Sequence, residues 1–418
     1  MPATVPVRVL ALIAVLAPIV PTSGYAQSPP KCDAPMEQVD GFLPALSPDG
    51  RYLASTIKDK GVRLVALADH RELGIYPEMV HPQFSPDGKR LLLEPQDQAT
   101  VAFVDVPEKG APGALQTMHF ESNTARLSPG GRLIEIDDVA PPPTAAGQAP
   151  SRAPDQPRLL RAADRAELAR FEKDSYFRLV AARDESVALV YPLPPRGAAP
   201  QPVIARLIDV ASGKARHRFS MSGPIVSAAL ASDGSIVAIS DSAATKLFDT
   251  ASGAELASLP PAIRPIGFSR DGSRFLLPSK TDEGDRLFLY RRGEWKSEAA
   301  FLPLERDGYF ALGGTHLLIL QKGELLMIDL AAMKPDWSMT LPSDAKPYFM
   351  LPDGDVVVLA RSGPTRPTTD LWLFDSATGR GGCTISIRGW MFIAGLNASR
   401  LVLAGQAALV FDIGAIPR

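Results

Sequence analysis

Ser47-Pro48-Asp49-Gly50 follows the apolar run Phe42-Leu43-Pro44-Ala45-Leu46 and precedes the β-rich run Arg51-Tyr52-Leu53-Ala54-Ser55-Thr56. In such a phrase proline presets the backbone at the second turn position, aspartate suits the third, and glycine accepts the left-handed conformation that follows. That is the chemistry of a tight hairpin with a bulge. The phrase returns as Ser85-Pro86-Asp87-Gly88 and, loosened, as Ser128-Pro129-Gly130-Gly131, Ser232-Asp233-Gly234, Ser269-Arg270-Asp271-Gly272 and Pro352-Asp353-Gly354. A turn repeated at about forty-residue spacing marks one supersecondary unit used many times.

Each unit reads as four short strands in meander order. After the first turn come Val62-Arg63-Leu64-Val65-Ala66-Leu67 and Glu72-Leu73-Gly74-Ile75-Tyr76. The cleanest unit runs from Ile225 to Leu259 and carries a second phrase, Asp249-Thr250-Ala251-Ser252-Gly253. That phrase recurs as Asp209-Val210-Ala211-Ser212-Gly213 and Asp375-Ser376-Ala377-Thr378-Gly379. Its aspartate can hydrogen-bond the backbone that follows it, and its glycine reverses the chain into the fourth strand.

Units are placed near Phe42, Pro82, Thr124, Phe177, Val226, Ile266, Tyr309, Tyr348 and Phe392. The fourth and seventh have decayed turns, Arg183-Asp184-Glu185 and Gly313-Gly314-Thr315. The last shows only three strands, and residues just after Cys32 are expected to supply the missing outer one. The prediction is an all-β chain, a single β-propeller of four-stranded antiparallel blades. Its expected size is seven to nine blades, with eight or nine favoured and one irregular stretch falling short of a full blade. The charged stretch Arg158 to Asp174 is open to a helical reading, but its place in the repeat favours strands at Leu159 to Ala162 and Leu168 to Phe171.

Phe84-Ser85-Pro86-Asp87-Gly88-Lys89-Arg90-Leu91, followed by a strand ending in aspartate, resembles the β-propeller repeat of TolB-like and related Trp-Asp-repeat proteins. The resemblance spans nearly the whole chain after residue 26 and implies a fold repeat. The Gly-His and Trp-Asp dipeptides of true Trp-Asp repeats are absent from the sequence.

Among 418 residues, 44 Lys and Arg nearly balance 46 Asp and Glu, which excludes a strong field for nucleic acid or an anionic membrane. Residues 1–26 read as a signal peptide: Arg8 is the charge, Val9 to Val20 the apolar core, and Gly24-Tyr25-Ala26 the cleavage site. The expected product, residues 27–418, is a periplasmic or secreted propeller domain with no transmembrane segment. The alternative of a membrane anchor meets a short apolar run interrupted by Pro18. A Pro/Ala-rich loop is expected at about 140–157, where Pro141 to Pro157 has low complexity. The two cysteines, Cys32 and Cys383, are disulfide candidates in an oxidising compartment. Such a bridge contributes about 4 to 5 kcal/mol in the chain-entropy account. Two isolated buried thiols are the alternative.

Chemistry-bearing patterns are sparse. His70, His81, His119, His217 and His316 show no paired metal-ligand spacing, and Gly-x-Ser-x-Gly is absent. No catalytic, cofactor or metal residues are assigned, and no cofactor is expected. The aspartates Asp49, Asp87, Asp233, Asp271 and Asp353 recur on one rim with Gly50, Gly88, Gly234, Gly272 and Gly354. A ring of acids could hold cations, but turn structure explains them better. The acidic loop Asp282-Glu283-Gly284-Asp285 reads as a hairpin tip. Trp295, Trp337, Trp372 and Trp390 fit packing between sheets, with any exposed subset suited to glycans. The first functional expectation is a non-catalytic scaffold for a protein or peptide partner. The alternatives are a propeller enzyme with residues gathered from several blades, such as a lyase, lactonase or dehydrogenase, and an envelope-glycan binder.

Overall fold

The repeated hairpins build nine sheets. The computed structural model describes residues 37–412 apart from 96–98, 108–110, 121–124, 137–155, 173–175, 194–200, 270, 283, 302–308, 313–315, 322–323, 341–344, 351–355, 363–367, 376–380, 389–391, 397–399 and 405–406. Every regular element among these residues is a strand, and no helix there is long and apolar enough to cross a membrane. The described strands form nine four-stranded antiparallel sheets. In eight of them four consecutive strands pair in chain order.

The first strands are Phe42–Leu46, Met79–Phe84, Ala125–Leu127, Tyr176–Ala181, Ser227–Leu230, Gly267–Phe268, Tyr309–Leu312, Ala345–Met350 and Phe392–Leu396. They agree with the starts read from the turn phrases, and nine sheets lie within the expected range. The fourth and seventh sheets are complete despite their decayed turns, so the incomplete blade expected from the sequence is not found. Strands Arg158–Arg161 and Glu167–Arg170 replace the helical alternative for that stretch.

First strands of successive sheets touch one another: that of blade 1 meets those of blades 2 and 9, and that of blade 5 meets those of blades 4 and 6. The first strands therefore surround the axis, and the fourth strands lie at the circumference. Burial follows this order. In blade 5 the second strand, Ile236–Ser240, is buried along its length, while the outer strand, Glu255–Leu259, is mostly exposed. Apolar clusters fill the space between blades, as where Leu64 and Val62 of blade 1 meet Leu91 and Leu93 of blade 2. Burying each such leucine contributes roughly 1.5–3 kcal/mol.

The ring closes by a strand clasp. Glu37–Asp40 is the outermost strand of blade 9, where Glu37 faces Val410 and Asp40 faces Ala407. The same seam is packed by Leu53 and Leu67 of blade 1 against Val402, Ala408 and Val410 of blade 9. The clasp gives the last blade the same four strands as the others and ties an early strand of the chain to its late ones in one sheet. In seven blades the third and fourth strands shift register beside their connecting turn, which adds twist at the circumference.

Residues 1–26, Cys32, Asp353, Gly354, Trp390 and residues 140–155 of the Pro/Ala-rich stretch lie outside the described residues.

Candidate functional site

Meander order places the turns between first and second strands, and between third and fourth strands, on one face of the disc. The hairpins between second and third strands, and the connections between blades, lie on the other. Asp49, Asp87, Asp233 and Asp271 are consequently on the first face.

There the aspartates hold their own hairpins. Asp49 Oδ1 accepts from Ser47 Oγ at 2.7 Å and from the Arg51 amide at 3.0 Å. Asp87 Oδ1 repeats this with Ser85 Oγ and the Lys89 amide, at 2.7 and 3.0 Å. Asp271 Oδ1 accepts from Ser269 Oγ at 2.6 Å and the Ser273 amide at 3.0 Å. Asp233 accepts from the Ser235 amide at 3.0 Å and from Arg292 of the next blade at 3.0 Å. The glycines follow in left-handed backbone, with φ of 73° at Gly50, 71° at Gly88, 68° at Gly234 and 68° at Gly272.

Burial works against the charge on all four of these aspartates. The hydroxyl and amide donors outweigh it and lower each pKa below the usual 3.8. Arg51 and Arg292 add to the effect at Asp49 and Asp233. In the second turn phrase, the Arg216 guanidinium and then the Ser212 donors bring Asp209 to about 2. Carboxylates so engaged have few lone pairs left for a cation, and the structural reading of these aspartates accounts for their contacts.

One aspartate is missing from this pattern. The blade 3 turn has Gly130 where Asp49 and Asp87 stand, and Glu185 from the decayed blade 4 turn fills the gap. Its carboxylate accepts from Ser128 Oγ at 2.8 Å, the Gly130 amide at 2.7 Å and the Arg132 amide at 2.9 Å. Glu185 itself sits at φ 51°, where the other turns have glycine, and is buried to 3% exposure. Sequence reasoning missed it because the partner lies in another blade.

The histidines do not converge. His81 Nδ1 lies 2.6 Å from Glu94, His119 pairs with Thr100, His217 with the Ala251 carbonyl, and His316 with Asp336. Among the described residues no three His, Cys, Asp or Glu side chains gather as a metal site. Thr281 and Gly284 bound the acidic hairpin tip, as expected. Trp295 packs on the core between blades 5 and 6, and Trp337 is half-buried, so neither offers an open stacking platform. Cys383 is buried in Gly381–Arg388, the outer strand of blade 8.

The second face differs in chemistry. Six large apolar side chains are exposed among the described residues: Phe42, Ile75, Tyr176, Ile204, Val226 and Leu256. Phe42 and Tyr176 begin first strands, and Val226 precedes the first strand of blade 5. Ile204 lies near the start of a third strand and Ile75 near the end of a fourth. Those five ends all face away from the aspartate turns; only Leu256 lies on the turn side. The innermost strand of blade 1 is also bulged here, with Leu43 at φ 48°, and blade 2 repeats this with His81 at φ 46°.

A cavity of about 410 Å³ opens between blades 2 and 3, walled by Arg90, Phe103, Met118, Asp164 and Arg165 among others. Arg90 stacks on the Phe103 ring at 4.7 Å, bonds Asp105 at 3.2 Å and reaches the Gly131 carbonyl of blade 3 at 2.8 Å. Asp164 is bound through both oxygens by Arg161, at 2.8 and 2.7 Å, which with the Ala166 amide holds its pKa at about 2.

No known protein family matches the chain, and no curated protein matches it in sequence. Among solved structures it is similar to a crystal structure of the eukaryotic initiation factor, with TM-score 0.56 and 13% identity over 92% of this chain and 93% of that one. It is also similar to dihydro-heme d1 dehydrogenase NirN in complex with DHE, with TM-score 0.48 and 14% identity over 87% and 78% of the two chains. Apo AztD from Citrobacter koseri gives TM-score 0.48 and 14% identity over 85% and 95%. The first likeness is one of fold and agrees with the sheet topology: the chain is a β-propeller.

Proposed function

We propose that this propeller is an exported, non-catalytic scaffold that receives a protein or peptide partner on its apolar face. The observation that carries the reading is the split between the two faces. The turn aspartates are consumed by hairpins and inter-blade ties, whereas five of the six large apolar side chains exposed among the described residues lie toward the other side. Exposed apolar groups that share one side of the disc favour a partner surface there. The small net charge of −2 suits such a partner better than a polyanion. The TolB-like turn phrase fits this reading at the level of the repeat.

Export rests on the signal-like residues 1–26. It makes a Cys32–Cys383 disulfide the natural pairing, since these are the only cysteines. The order of the chain supports that pairing. Cys32 precedes the clasp strand at the outer edge of blade 9, and Cys383 lies in the outer strand of the adjacent blade.

The test is recovery of a partner by the tagged chain from envelope extract, compared with a Tyr176→Asp, Val226→Asp variant. The reading expects a stoichiometric partner that the double variant loses while its melting temperature holds. A partner equally retained by the variant, or absent throughout, contradicts it.

A further inference from the structure

The cavity between blades 2 and 3 lies on the turn side, away from the apolar face, and stands independently of the partner reading. Its walls combine charge with apolar surface. Arg165 is exposed, its guanidinium lies 5.6 Å from the Phe120 ring centroid, and among the described residues no carboxylate pairs with it. Arg90 Nε and Nη1 are engaged, but its Nη2 has no hydrogen-bond partner there. Asp164 does not neutralise Arg165, because both its oxygens are held by Arg161. With Asp105 bound to Arg90, three guanidiniums face two carboxylates, leaving one positive charge in excess. Phe103 and Met118 supply the apolar wall. The volume of about 410 Å³ lies within the range of small-molecule sites.

We infer that this cavity binds a carboxylate carried on an apolar body, with the carboxylate at Arg165 and Arg90 and the body against Phe103 and Met118. A planar guanidinium meets a carboxylate with two parallel hydrogen bonds, which favours this anion. Both sources of the group, a free organic acid or the end of a peptide, share that chemistry.

Arg165 allows a clean test. Its φ of 59° is a conformation that glycine adopts freely, so Arg165→Gly removes the charge without opposing the turn. Calorimetric titration of the full chain uses phenylacetate as a free acid, N-acetylphenylalanine as a peptide end, N-acetylphenylalanine amide as the uncharged control, and inorganic phosphate. At least one of the two carboxylates should bind, whichever is tighter identifying the source, and the amide should bind roughly tenfold or more weaker. Arg165→Gly should weaken the carboxylate by a similar factor with an unchanged melting temperature. Absence of carboxylate binding, equal binding of the amide or of phosphate, or an unaltered affinity in Arg165→Gly would overturn the inference.

Discussion

Glu185 and Gly130 are complementary across a blade boundary: a Cβ placed on Gly130 would lie 2.4 Å from Cδ of Glu185. The glutamate occupies the volume that an aspartate fills in the other turns, and accepts the same serine and amide donors. Glu185 of blade 4 therefore supplies the carboxylate that the blade 3 turn lacks, while Asp184 holds the blade 4 turn by accepting from the Ser186 amide at 3.0 Å. The exchange works only while position 130 lacks a side chain.

Removing that carboxylate leaves buried donors unpaired, at about 1–3 kcal/mol for each such group. Glu185→Gly should accordingly destabilise the protein by about 2–4 kcal/mol in urea unfolding, even though it relaxes the left-handed backbone of its own turn. Gly130→Asp alone should also destabilise, through the clash. Combined, the two changes restore the common turn phrase in both blades and should recover at least half of the loss. Additive losses in the double variant would show that the two positions do not substitute for each other.

Acid should loosen the turn face. The folded-state pKa values of Asp49, Asp87, Asp233 and Asp271 lie below 3.8, and Asp209 lies at about 2. Below about pH 4 the unfolded chain binds more protons than the folded one, so stability present above that pH is lost as the pH falls. Melting temperature should drop between pH 3.8 and about 2, the interval set by these groups. A profile flat through that interval would mean that these aspartates do not hold the hairpins.

The clasp and the cysteine pair should act together. Intact-mass analysis under non-reducing conditions should find the two cysteines joined, and reduction should lower stability by up to about 4 to 5 kcal/mol. A Val39→Pro change opposes the pairing of Val39 with Ala408 and should weaken the same seam. Two free thiols would remove the covalent part of the closure.

The turn phrases made the architecture readable because each carries its own chemistry within four or five residues. Proline, aspartate and glycine announce a hairpin wherever it sits, and first strands fall within a few residues of the expected starts. The site was less readable for reasons of distance. Arg183-Asp184-Glu185 looked like a decayed turn because the donors that bind Glu185 lie more than fifty positions earlier, at Ser128 and Arg132. The cavity joins Arg90 to Arg165, which no local pattern links. The apolar face depends on which strand ends remain uncovered, a property of the assembled ring.

Site-specific photocrosslinking in the native host distinguishes a partner on the apolar face from one on the aspartate turns. A photoreactive amino acid at position 176 or 226 reports the apolar face, and one at position 51 or 89 reports the aspartate turns. A discrete crosslinked species is expected at 176 and 226 and none at 51 or 89. Crosslinks confined to 51 and 89, or absent from all four positions, would contradict a partner on the apolar face.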